Sequence, residues 1–202
     1  RFFADANGMP KVGWREVYDR GSGRKVGSLS RGSGTTPTLL GEHYVTVTDN
    51  ADGRINLLVY RREQAFSGQR LLCKVPLFEQ NGSATDNSSI GWERSIITEN
   101  NAGYRSAFAQ KDWNEVVGGM MRVDIREDES GCDVIWHSSE HSPSLVAKLS
   151  LVSGLVYGYT FERRADGAHP LGPVRVIAAR QAGGLGHAPT LADRDSQARE
   201  PG

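Results

Sequence analysis

A short strand with a polar end returns three times along the chain, and this repeat constrains the fold more than any other feature. The copies read VTVTDN at 45–50, SIITEN at 95–100 and YGYTFE at 157–162. The threonines that align them are Thr48, Thr98 and Thr160, so the repeat length is roughly 50 to 60 residues. A repeat of this length indicates a modular fold in which each unit is one supersecondary structure.

Each copy is followed by further strand-like runs. A second run lies at 55–61, 121–126 and 174–178, and a third run follows in the first two units at 71–78 and 131–137. Glycine accounts for 24 of the 202 residues, and glycine scattered without a collagen period is typical of tight turns between short strands. The best candidate for a helix is 112–121, with one or two turns. The units are therefore predicted to be small antiparallel sheets.

Sheets of three or four short strands that recur at this spacing are typical of the blades of a β-propeller. One blade cannot bury both of its faces, so blades stack around an axis. A β-sandwich also repeats strands and turns, but it does not predict that the same polar-ended strand returns at so long a spacing. We predict an all-β chain that forms an incomplete β-propeller of about three to four antiparallel blades over residues 1–180.

The last segment of the chain differs from the repeat. Residues 181–202 contain no aromatic residue and no apolar run of strand length, which predicts a disordered C-terminal tail. Closed propellers usually have about four to eight blades, so the expected partners are the remaining blades of a longer parent chain or another protein. The first residue is Arg1 rather than Met, which leaves processing, truncation and a removed signal peptide open.

The charge balance and the hydropathy exclude two classes of partner. Lys and Arg together number 24, as do Asp and Glu, so the net charge is zero. This balance lacks the basic footprint of a nucleic-acid-binding protein. No apolar run reaches the roughly 20 residues that a membrane-spanning helix needs. We therefore expect neither nucleic acid as a partner nor a membrane span.

The two cysteines, Cys73 and Cys132, fit neither a zinc motif nor a Cys-x-x-Cys redox motif. Both stand just before a short x-Val-x pattern, which makes them candidates for equivalent positions on neighbouring blades. Their Cα atoms would then lie farther apart than the roughly 7 Å that a disulfide can bridge. The sequence therefore predicts two free, partly buried thiols.

One part of the repeat is similar to a known family. The matching residues in 17–49 are Asp19, Gly21, Gly23, Thr36, Pro37, Gly41, Tyr44 and Val45, and those in 142–160 are Ser142, Pro143, Gly154 and Tyr157. This pattern resembles the repeat of PQQ-like (quinoprotein-type) propellers, which implies a propeller fold. The docking tryptophan of that family is not matched, because Val26 and Gly27 stand near its place. Many members bind no quinone and act as scaffolds, and the adjacent-cysteine pair of quinone-dependent alcohol dehydrogenases is missing, so PQQ is not expected here.

The polar ends of the repeat strands are the candidate site. In a propeller, corresponding positions of successive blades form a ring around the axis. The candidate ligand-binding residues are Asp49, Asn50, Glu99, Asn100, Asn101 and Glu162, and the candidate metal ligands among them are Asp49, Glu99 and Glu162. Carboxylate and amide oxygens suit Ca²⁺, and they could equally hold a polar substrate. The alternative is ordinary turn chemistry, in which Asp and Asn bond their own backbone.

Two other polar clusters carry simpler interpretations. His137, Glu140 and His141 could share a metal only if their loop bends back, because residues four apart on an extended chain lie roughly 13 Å apart; a solvated loop is expected. The charged run REDESG at 126–131 predicts an exposed hairpin loop. No catalytic residue is identified.

Two functions follow from these observations. The first is a non-catalytic propeller scaffold that works in extracytoplasmic or secreted binding or assembly. The second is a propeller enzyme, a quinoprotein-like oxidoreductase or a Ca-dependent hydrolase, with an axial site built from the inner-strand ends. The absence of net charge and of a docking tryptophan favours the scaffold.

Overall fold

The computed structural model describes residues 1–106, 109–142, 146–161 and 171–178, with the backbone alone at 161 and 171–178. The described chain is all-β, as predicted, and its strands form antiparallel sheets. The helix candidate is one turn of 3-10 helix, Trp113–Glu115. No helix in these ranges is long or apolar enough to cross a membrane. The predicted tail, 181–202, and the site residue Glu162 lie outside the described residues.

The strands form a hairpin followed by three sheets, which we call sheets I, II and III. The hairpin contains β1 (Phe2–Ala4) and β2 (Pro10–Val12). Sheet I contains β3 (Thr38–Leu40), β4 (Tyr44–Thr48), β5 (Asn56–Arg61) and β6 (Leu71–Pro76). Sheet II contains β7 (Ile90–Trp92), β8 (Ser95–Glu99), β9 (Met120–Ile125) and β10 (Cys132–Ser138). Sheet III contains β11 (Lys148–Leu149), β12 (Leu155–Phe161) and β13 (Leu171–Ala178).

Each sheet is a meander in which successive strands are neighbours. The three repeat copies lie on β4, β8 and β12, the second strand of each sheet. The second run of each unit forms the third strand, and the third run forms the fourth strand of sheets I and II. The prediction of repeated antiparallel units is therefore confirmed for the described strands.

The three sheets pack face to face. Sheets I and II share a core in which Leu57 and Val59 lie against Ile96 and Val123. Sheets II and III share a second core, in which Met120 and Val156 are both fully buried. Sheet II is thus covered on both faces, which explains why β8 and β9 lack the clean alternation of apolar and polar residues seen in one-sided sheets.

Equivalent strands of sheets I and II lie side by side and run in the same direction. Thr36 N donates to Ser88 Oγ at 3.2 Å, and Thr38 Oγ1 donates to the carbonyl oxygen of Ser89 at 2.8 Å. A Cβ placed on Gly91 would contact the side chains of Leu40 and Thr38, so β7 lies against β3. The described sheets therefore form an open stack in which β3 and β7 are parallel neighbours.

The prediction of free thiols is wrong, because Cys73 and Cys132 form a disulfide with a Cα–Cα distance of 6.0 Å. Cys73 pairs with Val59 on β5, and Cys132 pairs with Ile125 on β9. Since Val59 and Ile125 both belong to the core between sheets I and II, the two cysteines point toward each other across this core. Cys73 lies on the face of sheet I that points toward sheet II, and Cys132 lies on the face of sheet II that points toward sheet I. In successive units of the repeat these are opposite faces, so the two cysteines are not equivalent positions.

Candidate functional site at the strand ends

Asp49 follows β4 and is buried, with 2% of its surface exposed. Its Oδ1 accepts from Ala51 N at 3.2 Å and from Asn56 N at 2.7 Å, and its Oδ2 accepts from Asn56 Nδ2 at 2.8 Å. Lys74 Nζ lies 3.8 Å from Oδ2 and balances the charge. The carboxylate therefore closes the turn between β4 and β5.

Asn50 connects the same strand end to the loop that precedes sheet I. Its backbone N donates to the carbonyl oxygen of Asp19 at 2.9 Å, and its Nδ2 donates to those of Arg20 and Gly23. Gly21 has a φ of +67°, and a Cβ at this glycine would lie 2.3 Å from the carbonyl oxygen of Asn50. This close approach requires glycine and indicates a structural role for Asn50.

Asn100, at the end of β8 in sheet II, also connects its strand end to neighbouring loops. Its side chain takes part in four hydrogen bonds. Nδ2 donates to the carbonyl oxygens of Gly82 at 2.8 Å and Gly118 at 2.9 Å. Oδ1 accepts from Ala84 N at 3.2 Å and Ala102 N at 3.0 Å. All polar atoms of this buried amide are used to hold three chain segments together.

The hydrogen bonds also define which strand-end positions of sheets I and II are equivalent. Asp49 N donates to the carbonyl oxygen of Asn56, and Asn100 N donates to that of Gly119, both at 2.9 Å. These bonds join the second and third strands of the two sheets. In addition, Oδ1 of Asp49 and of Asn100 each accepts from the backbone N two residues later. Asp49 is therefore equivalent to Asn100.

The next residue gives the same register. Asn50 N donates to the carbonyl oxygen of Asp19, and Asn101 N donates to that of Ala84. The structural repeat therefore runs from Asn50 to Asn101, which is one position longer than the interval between the aligned threonines Thr48 and Thr98.

This one-residue shift changes the interpretation of the carboxylates. Glu99 corresponds to Thr48 and not to Asp49, and a shift of one residue places a side chain on the other face of its sheet. Alignment on Thr-x-Asn missed the shift because asparagine occurs at both 100 and 101. The structure therefore corrects the equivalence of Asp49 and Glu99.

Glu99 lies between sheets II and III with 5% of its surface exposed. Its Oε2 accepts from Asn87 Nδ2 at 2.8 Å, and its Oε1 lies 3.4 Å from Ser142 Oγ. The backbone of Ala147 also hydrogen-bonds the carboxyl group. Burial raises the pKa of Glu99 to about 8, against the opposing effect of these hydrogen bonds. The carboxyl group is therefore mostly uncharged at neutral pH.

The calcium ring remains a prediction. The described residues contain no group of three or more His, Cys, Asp or Glu side chains that could hold a metal ion, and Glu162 lies outside them. The structure places Asp49, Asn50 and Asn100 in separate sets of hydrogen bonds to nearby turns and loops. His137 lies on β10, and neither it nor His141 belongs to a metal-binding group in the described chain.

Lys25 lies near these strand ends, and the sequence pattern did not indicate it as a site residue. Its Nζ donates to the carbonyl oxygens of Ala51 and Ser83, which joins the loop before sheet I to the strand ends. Burial lowers the pKa of Lys25, although Asp49 and Asp52 oppose this effect. The lysine lines a cleft of about 490 Å³ together with Asp52. A lysine in a loop rich in glycine and serine gave no signal of this role.

The charged hairpin loop contacts sheet I, which the sequence also did not indicate. Glu129 Oε2 lies 2.6 Å from Arg61 Nη1, and Glu129 Oε1 lies 3.7 Å from Arg94 Nη2. The loop is therefore part of the contact between sheets I and II.

A second cleft of about 490 Å³ lies between the N-terminal segment and sheet I. Its apolar lining includes Phe2, Val12, Trp14, Leu39, Val45 and Val47. The ring of Trp14 lies 6.5 Å from that of Tyr60, and the guanidinium of Arg70 lies 4.9 Å from the Trp14 ring. The alternating valines of β4 are the sequence signal that could have indicated a second apolar face on this sheet.

Comparison of the chain with protein-family models, with curated proteins and with solved structures finds no match.

Proposed function

We propose that the chain is a non-catalytic scaffold of propeller-type blades that works in binding or assembly outside the cytoplasm. This proposal rests on the hydrogen bonds that the polar groups at the strand ends make. Asp49, Asn50 and Asn100 are buried and bonded to neighbouring backbone. Groups that are already paired in this way hold loops and have little capacity left for a substrate or a metal.

Two further observations support the proposal. Equivalent edge strands of sheets I and II run in parallel beside each other, which is the arrangement expected of blades around an axis. The Cys73–Cys132 disulfide links the outer strands of these sheets, and disulfides persist mainly in oxidising compartments outside the cytoplasm.

Calcium titration tests the scaffold against the enzyme alternative. The thermal unfolding midpoint of the 202-residue chain is measured in EDTA and in calcium up to millimolar concentrations, the range of weak extracellular sites. The scaffold predicts an unchanged midpoint. A site that binds only the native state would raise the midpoint as calcium increases.

The variant Asp49→Asn identifies the source of any such rise. A calcium-dependent rise that the variant abolishes contradicts the scaffold and favours an axial calcium site. A midpoint that does not respond to calcium in either protein supports the scaffold.

A further inference from the structure

We propose that the cleft beside Lys25 binds a small organic anion, whose carboxylate or phosphate group contacts Arg24 and Lys25. This cleft, which we call the strand-end cleft, has a volume of about 490 Å³ and is lined by Asp52, Ala102 and Val117 in addition to the two basic residues. The inference goes beyond the proposed scaffold function, because it adds a ligand and identifies the residues that bind it.

Four connections between strands meet at the strand-end cleft. Its lining comes from the loop before sheet I, the β4–β5 turn, the β6–β7 loop and the β8–β9 connection. The cleft therefore lies at the ends of the repeat strands, where Asn50 and Asn100 hold these connections in place. Binding residues are often carried by loops that a rigid scaffold positions.

The loop that carries Arg24 and Lys25 is fixed at both of its ends. Asn50 Nδ2 donates to the carbonyl oxygen of Gly23 at 3.2 Å, and Gly103 N donates to that of Val26 at 3.2 Å. Gly27 has a φ of +104°, and a Cβ at this position would lie 2.1 Å from the carbonyl oxygen of Asn101. Because the loop is already ordered, a ligand that binds to it pays little conformational entropy.

Hydrogen-bond donors in this loop remain available to a ligand. Lys25 Nζ donates to the carbonyl oxygens of Ala51 and Ser83, and since an ammonium group has three donors, one is left. Arg24 lines the same cleft, and its guanidinium forms neither an ion pair nor a hydrogen bond with any other residue that the structure describes. The backbone N–H groups of Gly23, Arg24 and Lys25 also donate to no acceptor in the described part of the chain.

The carboxylates of the cleft, in contrast, already have partners. Asp52 Oδ1 accepts from Ser22 N at 3.0 Å and from Ser22 Oγ at 3.2 Å. Glu115 Oε2 lies 3.6 Å from Arg105 Nε. Counting Arg105, the cleft carries three cationic and two anionic side chains, a net charge of +1 (3 − 2). The groups without a partner are therefore cationic donors, and these form their strongest hydrogen bonds with carboxylates and phosphates.

The rest of the lining gives the ligand an apolar part. Val26, Ala84, Ala102 and Val117 also line the cleft, and the two valines are 45% and 46% exposed. Sites for small molecules typically combine apolar surface with a few polar groups that fix the orientation of the ligand. The ligand class that fits is therefore an organic acid or a phosphate ester with a small apolar body.

Benzoate and phenyl phosphate are the probes, because they carry the two anionic groups on the same body. Amide chemical shifts of the 202-residue chain measure binding. We expect saturable shifts at Gly23, Lys25 and Gly103 that weaken at high salt, and the tighter probe identifies the anionic group. Benzyl alcohol is the uncharged control. Equal affinity for benzyl alcohol, or no saturable shift with either anion, overturns the inference.

The matched variants for the anionic group are Arg24→Gln and Arg20→Gln. Both arginines are exposed and lie in the same loop, so neither substitution empties a core, but only Arg24 lines the cleft. We expect Arg24→Gln to weaken binding of the anionic probes about fivefold, the factor for an exposed charge pair worth about 1 kcal/mol. Arg20→Gln should leave binding unchanged. Equal affinities for the two variants overturn the site.

The variants Val117→Ser and Val152→Ser test the apolar part of the ligand. Both valines are exposed, by 46% and 101%, and only Val117 lines the cleft. We expect Val117→Ser to weaken binding of phenyl phosphate about twofold to threefold, because it removes apolar contact area, and Val152→Ser to leave it unchanged. Inorganic phosphate that binds the unmodified chain as tightly as phenyl phosphate does would overturn the organic part of the ligand.

These results are distinguishable from a failure of the proposed function. If neither anion binds to a chain that calcium does not stabilise, only the anion site is removed and the scaffold function stands. A calcium-dependent midpoint removes the scaffold function, whereas the anion site is still decided by the affinities of the Arg24→Gln and Arg20→Gln variants.

Discussion

At the scale of single residues, the polar strand ends show how an amide and a carboxyl differ when both are buried. The Asn100 amide has two donor and two acceptor sites, and each finds backbone partners in the surrounding loops. Its hydrogen bonds are therefore complete without a charge. The Glu99 carboxyl receives its partners from Asn87, Ser142 and Ala147, none of which carries a charge. Burial then favours the protonated form.

The effect of Glu99 on stability depends on pH. Its pKa is about 8 in the native protein and has an ordinary value of 4.5. Between these values the native state retains a proton that the unfolded state has lost, so the free energy of unfolding falls as pH rises, by at most about 1.4 kcal/mol per pH unit. The stability that the protonated Glu99 contributes is fully present below pH 4.5 and is lost above a pH of about 8.

We expect the variant Glu99→Gln to remove this slope, because glutamine is uncharged at every pH. Urea unfolding across that pH range measures the slope, and Glu42→Gln, at an exposed position, is the control that should keep it. If Glu99→Gln and the unmodified chain lose stability in parallel, the carboxyl of Glu99 is ionised in the native state.

At the scale of strands and sheets, the sequence predicts where the strands lie along the chain better than it predicts which residues of different sheets are equivalent. Strand runs, glycine turns and the 3-10 turn at Trp113–Glu115 depend on neighbouring residues and were predictable. The equivalence of Asp49 with Asn100 depends on hydrogen bonds between segments distant in sequence, which no local pattern contains. A register shift of one residue then misassigns the carboxylates, because it reverses the face of each side chain.

The disulfide is the covalent link between two such elements. Cys73 and Cys132 are 59 residues apart in sequence, and closing a loop of this length restricts the unfolded chain. In the loop-entropy model, its removal costs about 4 kcal/mol. We expect the double variant Cys73→Ser/Cys132→Ser to lose about this free energy of unfolding in urea.

The reduced, unmodified chain is the matched control and should be as stable as the double variant. Thiol alkylation of the native, oxidised chain should label neither cysteine. Equal stability of the oxidised chain and the double variant would show that the bond does not restrict unfolding, and alkylation without reductant would contradict the pairing itself.

At the scale of the whole molecule, burial is uneven along the stack. Sheet II has a core on each face, and Ile96, Met120 and Val123 are at most 1% exposed. The β1–β2 hairpin lies at the end of the stack, where Phe2 and Val12 are 71% and 51% exposed. Regions with few buried apolar contacts open locally at low free energy, whereas the best-covered strands exchange only on global unfolding. The order of sheets along the stack should therefore be visible in backbone dynamics.

Native-state hydrogen exchange gives the expected order directly. Amides of β8 and β9 should exchange with the free energy of global unfolding, and those of β1 with a free energy near zero. Reduction of the disulfide should accelerate exchange in β6 and β10, the two strands that it joins. Exchange in β3 and β7, at the opposite edge of the sheets, should accelerate less, because the Thr38–Ser89 hydrogen bond still holds β3 and β7 together. Equal protection of β1 and β9, or equal acceleration at both edges, would contradict a stack in which sheet II is central and the outer strands are clamped by the disulfide.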